Sequence, residues 1–146
     1  MSDTTVVEMT SRGEVTFRQA LPNDVEQIHA LLRPFVMQRL LLSRTKAELI
    51  ELSRHGFVAI SHPTSRCIGF CAVEVYSPKL AELQCLAVHP EFQKVGVGKQ
   101  LVQLCVERAG DLGVMEIMAI SSSERFLEGC GFGYSLPDQK RALFCQ

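Results

Sequence analysis

The run Gln93-Lys94-Val95-Gly96-Val97-Gly98-Lys99 carries the strongest chemical signal in the sequence. It follows an apolar stretch, Leu83 to Val88, and opens a long helical pattern. A strand feeding a glycine turn feeding a helix gathers several backbone N–H groups around one point, with the positive end of the helix dipole behind them. Gly96 and Gly98 can take φ values closed to other residues and put no Cβ in a ligand's way. Lys94 and Lys99 add positive charge nearby. Such a turn suits a phosphate, and so a nucleotide-like cofactor. The competing reading is an ordinary glycine turn before a surface helix. Neither the Gly-x-Gly-x-x-Gly dinucleotide fingerprint nor the Gly-Lys-Ser/Thr of a P-loop is present.

The elements that must hold this turn are legible from periodicity and punctuation. Val15 to Gln19 alternates as a strand. Pro22-Asn23-Asp24 starts a helix whose apolar face is Val25, Ile28, Leu31 and Leu32, with Asn23 or Asp24 accepting from its first N–H groups and Pro34 stopping or bending it. Phe35 to Leu42 is unusually apolar for a connection; it packs as helix on a sheet, lines a cleft or meets a second copy. Thr45, with Glu48 three residues on, spells a capping box for a second helix. Phe57–Ile60 and Cys67–Val75 form a strand pair around the His62-Pro63-Thr64-Ser65 turn, and Leu83–Val88 is a strand closed by His89-Pro90. The longest helix runs from Gly98 to Leu112, followed by a strand over Val114–Ile120. Ser122 or Ser123 caps a short helix from Glu124 to Gly129, and Phe132–Tyr134 and Ala142–Phe144 close the chain as a strand pair around the polar turn Asp138–Arg141. The order is that of a mixed α/β sheet with helices on its faces.

Composition narrows the class. The chain has 146 residues, which bounds it to one domain with a real hydrophobic core. Residues 1–13 read as a flexible polar leader without a secretory signal, and 14–146 as a single domain. Fifteen basic and sixteen acidic side chains leave a formal net charge of −1, with no basic block, so nucleic acid is disfavoured as a partner. No apolar run is long enough to span a membrane. The six cysteines, Cys67, Cys71, Cys85, Cys105, Cys130 and Cys145, contain no Cys-x-x-Cys and read as small buried hydrophobes in a reducing cytoplasm, without a metal site; Cys130, between two glycines, is the one to watch for reactivity.

The segment Leu86-Ala87-Val88-His89-Pro90-Glu91-Phe92-Gln93-Lys94-Val95-Gly96-Val97-Gly98 resembles the acetyl-CoA-binding motif of the GNAT superfamily of N-acetyltransferases. Gln93, Gly96 and Gly98 fit its Arg/Gln-x-x-Gly-x-Gly/Ala pattern, although the family often has glycine where Val95 stands. Phe126-Leu127-Glu128-Gly129-Cys130-Gly131-Phe132 is similar to the family's late helix and Gly-Phe ending. The likeness runs from about residue 15 to 144. It implies a mixed, mostly antiparallel sheet with helices on both faces and a central strand pair splayed apart. It also implies acetyl-CoA as cofactor. Leu86, Ala87 and Val88 would face its pantetheine arm, with the Leu86 and Val88 backbone making the approach. The Lys94–Lys99 amides, those of Val95 and Val97 included, would hold its pyrophosphate, with Ser123, Phe126 and Leu127 on the far side of the thioester. Leu127 stands where many relatives place a tyrosine, so no tyrosine acid is carried over, and the thiolate is left to water.

The acceptor is an amine that must lose a proton. Glu82, near the start of the cofactor-facing strand, is the candidate base, with Glu74 on the neighbouring strand and His89 at the strand's end, where a structural role is favoured. The Ile28–Glu51 region and Ala81-Glu82-Leu83 before "AVHP" are similar to the acetyltransferase domain of N-acetylglutamate synthases and short relatives. That likeness implies a small amino-acid acceptor such as glutamate. Arg33, Arg39 and Arg44 become candidates to hold its carboxylate, Arg44 fitting best, with Glu74 and Ser121 as further contacts. Ala119-Ile120-Ser121 departs from the Leu-Thr-Thr common in that group, which allows another amine, such as a polyamine, a drug or a protein amine. A non-catalytic acyl-CoA-binding module is the reading from a different class. The apolar Phe35–Leu42 run or the late strands would serve a homodimer.

Overall fold

In the computed structural model, residues 5–121 and 123–133 are described. Strands β1 (Val6–Thr10) and β2 (Gly13–Gln19) form an antiparallel hairpin. The flexible leader expected over residues 1–13 is thereby corrected from Val6 onward. Alternation half-buries Val6, and its side chain packs on the core, so the segment adds a strand. A single 3-10 turn, Pro22–Asp24, leads into α1 (Val25–Met37), whose Val25, Ile28, Leu31 and Leu32 are buried as their spacing predicts. Asp24 does not bond the helix's first N–H groups. Its carboxylate reaches back to the Leu21 N–H at 2.7 Å and grips Arg18 through both oxygens at 2.7 and 2.9 Å. Burial alone would raise the Asp24 carboxyl; Arg18 and the Leu21 N–H outweigh it and hold the group below its usual range. Pro34 does not stop α1, which runs on to Met37. Pro34 lies in the last turn, so its missing N–H removes one rung of the ladder and leaves the rest intact.

Helix α2 (Lys46–Ser53) begins with the predicted capping box: Thr45 Oγ1 accepts from the Glu48 N–H at 3.1 Å, and Glu48 Oε1 accepts from the Thr45 N–H at 2.9 Å. Strands β3 (Gly56–Ser61), β4 (Arg66–Ser77) and β5 (Leu80–Val88) follow as a meander. Helix α3 (Val97–Asp111) then crosses over to β6 (Glu116–Met118), and α4 (Glu124–Gly129) ends the described elements. The six strands lie in chain order, each pair antiparallel except β5 with β6, which are parallel because a helical crossover joins them. The expected strand over Val114–Ile120 shrinks to Glu116–Met118, because β6 finds only Leu80–Glu82 to pair with. Phe132 and Gly133 are not in a strand; Tyr134, Asp138–Arg141 and Ala142–Phe144 lie outside the described residues.

Two apolar layers sandwich the sheet. On one face Phe57, Ala59, Cys71 and Val73 meet Val97, Leu101, Leu104 and Cys105 of α3. On the other, Val58, Ile60, Phe70 and Ala72 meet Ile28, Leu31, Leu32 and Leu49 of α1 and α2. Apolar residues on both faces of β3 and β4 are what a sheet covered on both sides requires. Gly69 marks the closest approach: a Cβ there would lie 2.9 Å from Leu101 Cδ1, 3.1 Å from Ala59 Cβ and 3.2 Å from Val97 Cγ1. Gly69→Val should therefore cost about 2 kcal/mol through overpacking. A thermal melt should show the midpoint falling by roughly 5 °C or more; an unchanged midpoint would mean that α3 is free to move off the sheet.

Strand β5 changes faces partway along. Phe70 pairs with Ala87 and Ala72 with Gln84, so β5 holds one residue more than β4 across this interval. Cys85 takes up the excess with φ of 58°, a left-handed conformation uncommon outside glycine. Before this bulge Ala81 and Leu83 point towards α3; after it Cys85 and Ala87 point towards α1 and α2, and Val88 joins the α3 layer.

Candidate active site

The glycine turn stands where the sequence puts it, at the N-terminus of α3. Gly96 is the N-cap residue with φ of 94° and ψ of −2°, and nothing lies within 4 Å of where its Cβ would be. No N–H from Lys94 to Lys99 finds an acceptor among the described residues; the first bond of the helix runs from the Gln100 N–H to the Gly96 carbonyl at 3.1 Å. The first turn of α3 holds no acidic residue to oppose the helix dipole, and Lys94 and Lys99 are exposed beside it. Unmet donors, open space and positive charge at one point are what a pyrophosphate requires. Gln93 ties the turn to the end of β5, since its Nε2 donates to the Val88 carbonyl at 2.9 Å.

The edge of β5 beyond Glu82 has no strand partner among the described residues. Leu86, Ala87 and Val88 lie along this open stretch, and the Val88 carbonyl already accepts the Gln93 amide. Across the opening, α4 brings Phe126 against the glycine turn: a Cβ on Gly98 would lie 3.1 Å from Phe126 Cζ and 3.6 Å from Val88 Cγ2. Leu127 is buried in the α3 layer. Ser123 holds the N-cap position of α4 without a side-chain cap bond, and its N–H donates to Ser121 Oγ at 2.9 Å. Ser122 lies outside the described residues. Burial raises the Cys130 thiol, with the Lys99 charge acting against it, a direction that disfavours the thiolate at the cysteine singled out for reactivity.

On the α1–α2 face of the same strand a polar group gathers. Glu74 of β4 stands directly opposite Glu82 of β5. Tyr76 Oη donates to Glu82 Oε1 at 2.5 Å. The bond to Glu82, and then burial, push the Tyr76 phenol up to about 12, so it keeps its proton at neutral pH. Gln84 Nε2 lies 3.1 Å from Glu82 Oε1, 3.2 Å from Glu74 Oε1 and 3.2 Å from Tyr76 Oη. Arg44, on the segment leading into α2, donates from Nη2 to Gln84 Oε1 at 2.9 Å and lies 4.0 Å from Glu48. Its Nε is buried and unpartnered among the described residues. Arg44 also borders a cavity of about 270 Å³, with His29, Arg33, Val36, Met37 and Ser43 among the other walls.

The structure thus brings Glu82, Glu74 and Arg44 together and leaves Arg39 apart. Arg39 is exposed in the turn after α1, with φ of 59°, and its side chain bonds nothing among the described residues. Ser121 is exposed beyond β6. Sequence reasoning missed Tyr76 and Gln84. The signal was the two-residue spacing of Glu74 with Tyr76 and of Glu82 with Gln84, which puts all four on one face once the strands pair.

Comparison with known proteins agrees with this geometry. Residues 24–132 match the acetyltransferase (GNAT) family. An N-acetyltransferase of Chlorobaculum tepidum, itself described as uncharacterized, is 30% identical over 120 residues, which covers 82% of this chain and 76% of that one. The amino-acid acetyltransferase of Edwardsiella ictaluri is 28% identical over 146 residues, 96% of this chain but 32% of its own length. Among solved structures, N-acetylglutamate synthase from Neisseria gonorrhoeae, complexed with coenzyme A and N-acetyl-glutamate, superposes with a TM-score of 0.72 at 29% identity, over 79% of this chain and 27% of that one. This chain therefore spans about a third or less of those two longer proteins. The glycine turn, the opened strand edge and these likenesses have one reading: the chain belongs to the GNAT family of acetyltransferases.

Proposed function

We propose that this chain acetylates the amine of a small amino acid, with glutamate the first acceptor to test. The observation that carries the reading is the Arg44 Nε–H, a buried donor without a partner on the face where Glu82 and Glu74 converge. A buried unmet donor costs about 1–3 kcal/mol, a penalty that an acceptor's carboxylate removes. The guanidinium fork suits that carboxylate. The Gln84 amide has two hydrogens for three acceptors, so Glu74, Glu82 and Tyr76 retain capacity for a further donor. An acceptor's ammonium supplies three. Glu82, which makes no bond through Oε2 among the described residues, takes the proton.

The N–H groups from Lys94 to Lys99 would hold the pyrophosphate of acetyl-CoA, and the free edge of β5 its pantetheine arm. The thioester supplies the acetyl group. The amine nitrogen bonds the carbonyl carbon, the carbon–sulfur bond breaks, and the thiolate takes its proton from water. Leu127, buried and apolar, has no proton to give. Turnover takes place in the cytoplasm, a reading supported by the free thiols of Cys67, Cys71, Cys85, Cys105 and Cys130. No helix among the described residues is long and apolar enough to cross a membrane. Met37, Leu40 and Leu42, all exposed, are the residues a homodimer would cover.

The test is CoA release from acetyl-CoA against glutamate, other amino acids, spermidine and a short lysine peptide. Turnover with an amino acid supports the proposal. Preference for spermidine would overturn it, since Arg44 repels the second charge of a polyamine. Arg44→Ala should then raise KM for the amino acid roughly tenfold to a hundredfold, as expected for a lost hydrogen bond to a charged group. It should leave an amine without a carboxylate almost unaffected. Equal effects on both acceptors would remove Arg44 as the clamp.

A further inference from the structure

Between the proposed carboxylate clamp and the proposed base lies one neutral side chain. Gln84 accepts from Arg44 with its oxygen and donates to the carboxylates with its nitrogen. The amide has only one usable orientation here: guanidinium offers donors alone, and carboxylates offer acceptors alone. The titratable groups that face Glu82 are Glu74 and Tyr76 from β4, while the β6 residue opposite Glu82 is Met118, which carries no charge; Arg44 reaches this group through Gln84 and has Glu48 of α2 at 4.0 Å and the Cys85 thiol beside it.

We propose that Gln84 is a neutral spacer that keeps the Arg44 guanidinium and the Glu82 carboxylate from pairing, so that one stays free for the acceptor's carboxylate and the other for its amine proton. The inference rests on the reading of Glu82 as base and Arg44 as clamp. Its physical basis is that a guanidinium and a carboxylate beside each other on a half-buried face attract strongly and bond in a planar fork. Both belong to long side chains anchored on adjoining elements. The Gln84 amide satisfies each of them separately, Arg44 at 2.9 Å and Glu82 at 3.1 Å. Without it, Arg44 can close on Glu82, neutralising the base and occupying the clamp in one movement. Gln84 is a positioning residue in this scheme; it acts through its two neighbours.

Gln84→Ala tests the idea, with acetyl-CoA affinity and the melting midpoint confirming an intact fold. The acid limb of kcat/KM should move to lower pH by about one unit, the size of shift an opposite charge imposes on a carboxylate. At neutral pH, kcat should fall and KM for the amino-acid acceptor should rise. The displacement should vanish in Arg44→Ala/Gln84→Ala when compared with Arg44→Ala, because no cation remains to close on Glu82. An unmoved acid limb in Gln84→Ala, or the same displacement with and without Arg44, would overturn the spacer role. Glu82→Gln separates this from the underlying reading: if it keeps the parent's acid limb, Glu82 is not the base, whatever Gln84 does. Should Gln84→Ala fail to fold, Gln84→Ser carries the same expectations.

Discussion

Gly96→Asp should bind acetyl-CoA at least about a hundredfold more weakly than the parent chain, a loss of ~3 kcal/mol. Gly96 stands at φ of 94°, where an L side chain is strained, and the neighbouring N–H groups have no acceptor among the described residues. A carboxylate placed there offers itself to those donors and repels the pyrophosphate. The new Cβ meets nothing within 4 Å, so the damage to the fold stays near the strain of one residue. Titration calorimetry with acetyl-CoA, beside a thermal melt, separates the two effects. An affinity within about threefold of the parent would move the phosphate site away from this turn. Gly96→Ala is the control: it brings the strain without the charge and should lose far less.

Glu82→Gln should lower kcat/KM at neutral pH by about 10²–10⁴, the usual contribution of a positioned proton acceptor. Acetyl-CoA affinity should hold, because Glu82 faces the α1–α2 side and the glycine turn belongs to α3. The acid limb of the pH–rate profile should disappear with the carboxylate. A limb that persists unchanged would assign the proton to another group, and Glu74, directly across the strand pair, would be the next to replace.

How far the sequence anticipates the structure depends on whether the signal is local. The Thr45–Glu48 capping box and the Gly96 turn are local, and both stand as their spacing predicts. The apolar face of α1 is local too, yet Pro34 misleads, because a proline in the final turn removes only one hydrogen bond. Val6–Thr10 is polar at alternate positions and reads as a leader until β2 supplies its partner. The bulge at Cys85 leaves no mark in composition: Leu83-Gln84-Cys85-Leu86 reads as an ordinary apolar strand, and only its register against β4 reveals the extra residue. The chemistry of the polar face depends on that same register. Glu74 and Glu82 could each be singled out, but the pairing that puts them opposite each other, with Gln84 between them and Arg44, is a fact of tertiary structure.

The opened edge of β5 has a consequence for how long the protein lasts. Backbone groups from Leu83 to Ala87 on the side that a neighbouring strand would ordinarily occupy have no strand partner among the described residues and are open to a bound molecule. A molecule that binds only the folded chain stabilises it by mass action, about 2.7 kcal/mol at a hundred times its dissociation constant. That is a large fraction of the roughly 5–15 kcal/mol typical of a whole domain. An exposed strand edge is also where chains adhere to one another, so the same occupancy shields the protein from self-association. Supply of the acetyl donor would then set the lifetime of this protein as well as its rate: cells short of acetyl-CoA would hold less of the folded chain, and recover it as their carbon supply returns.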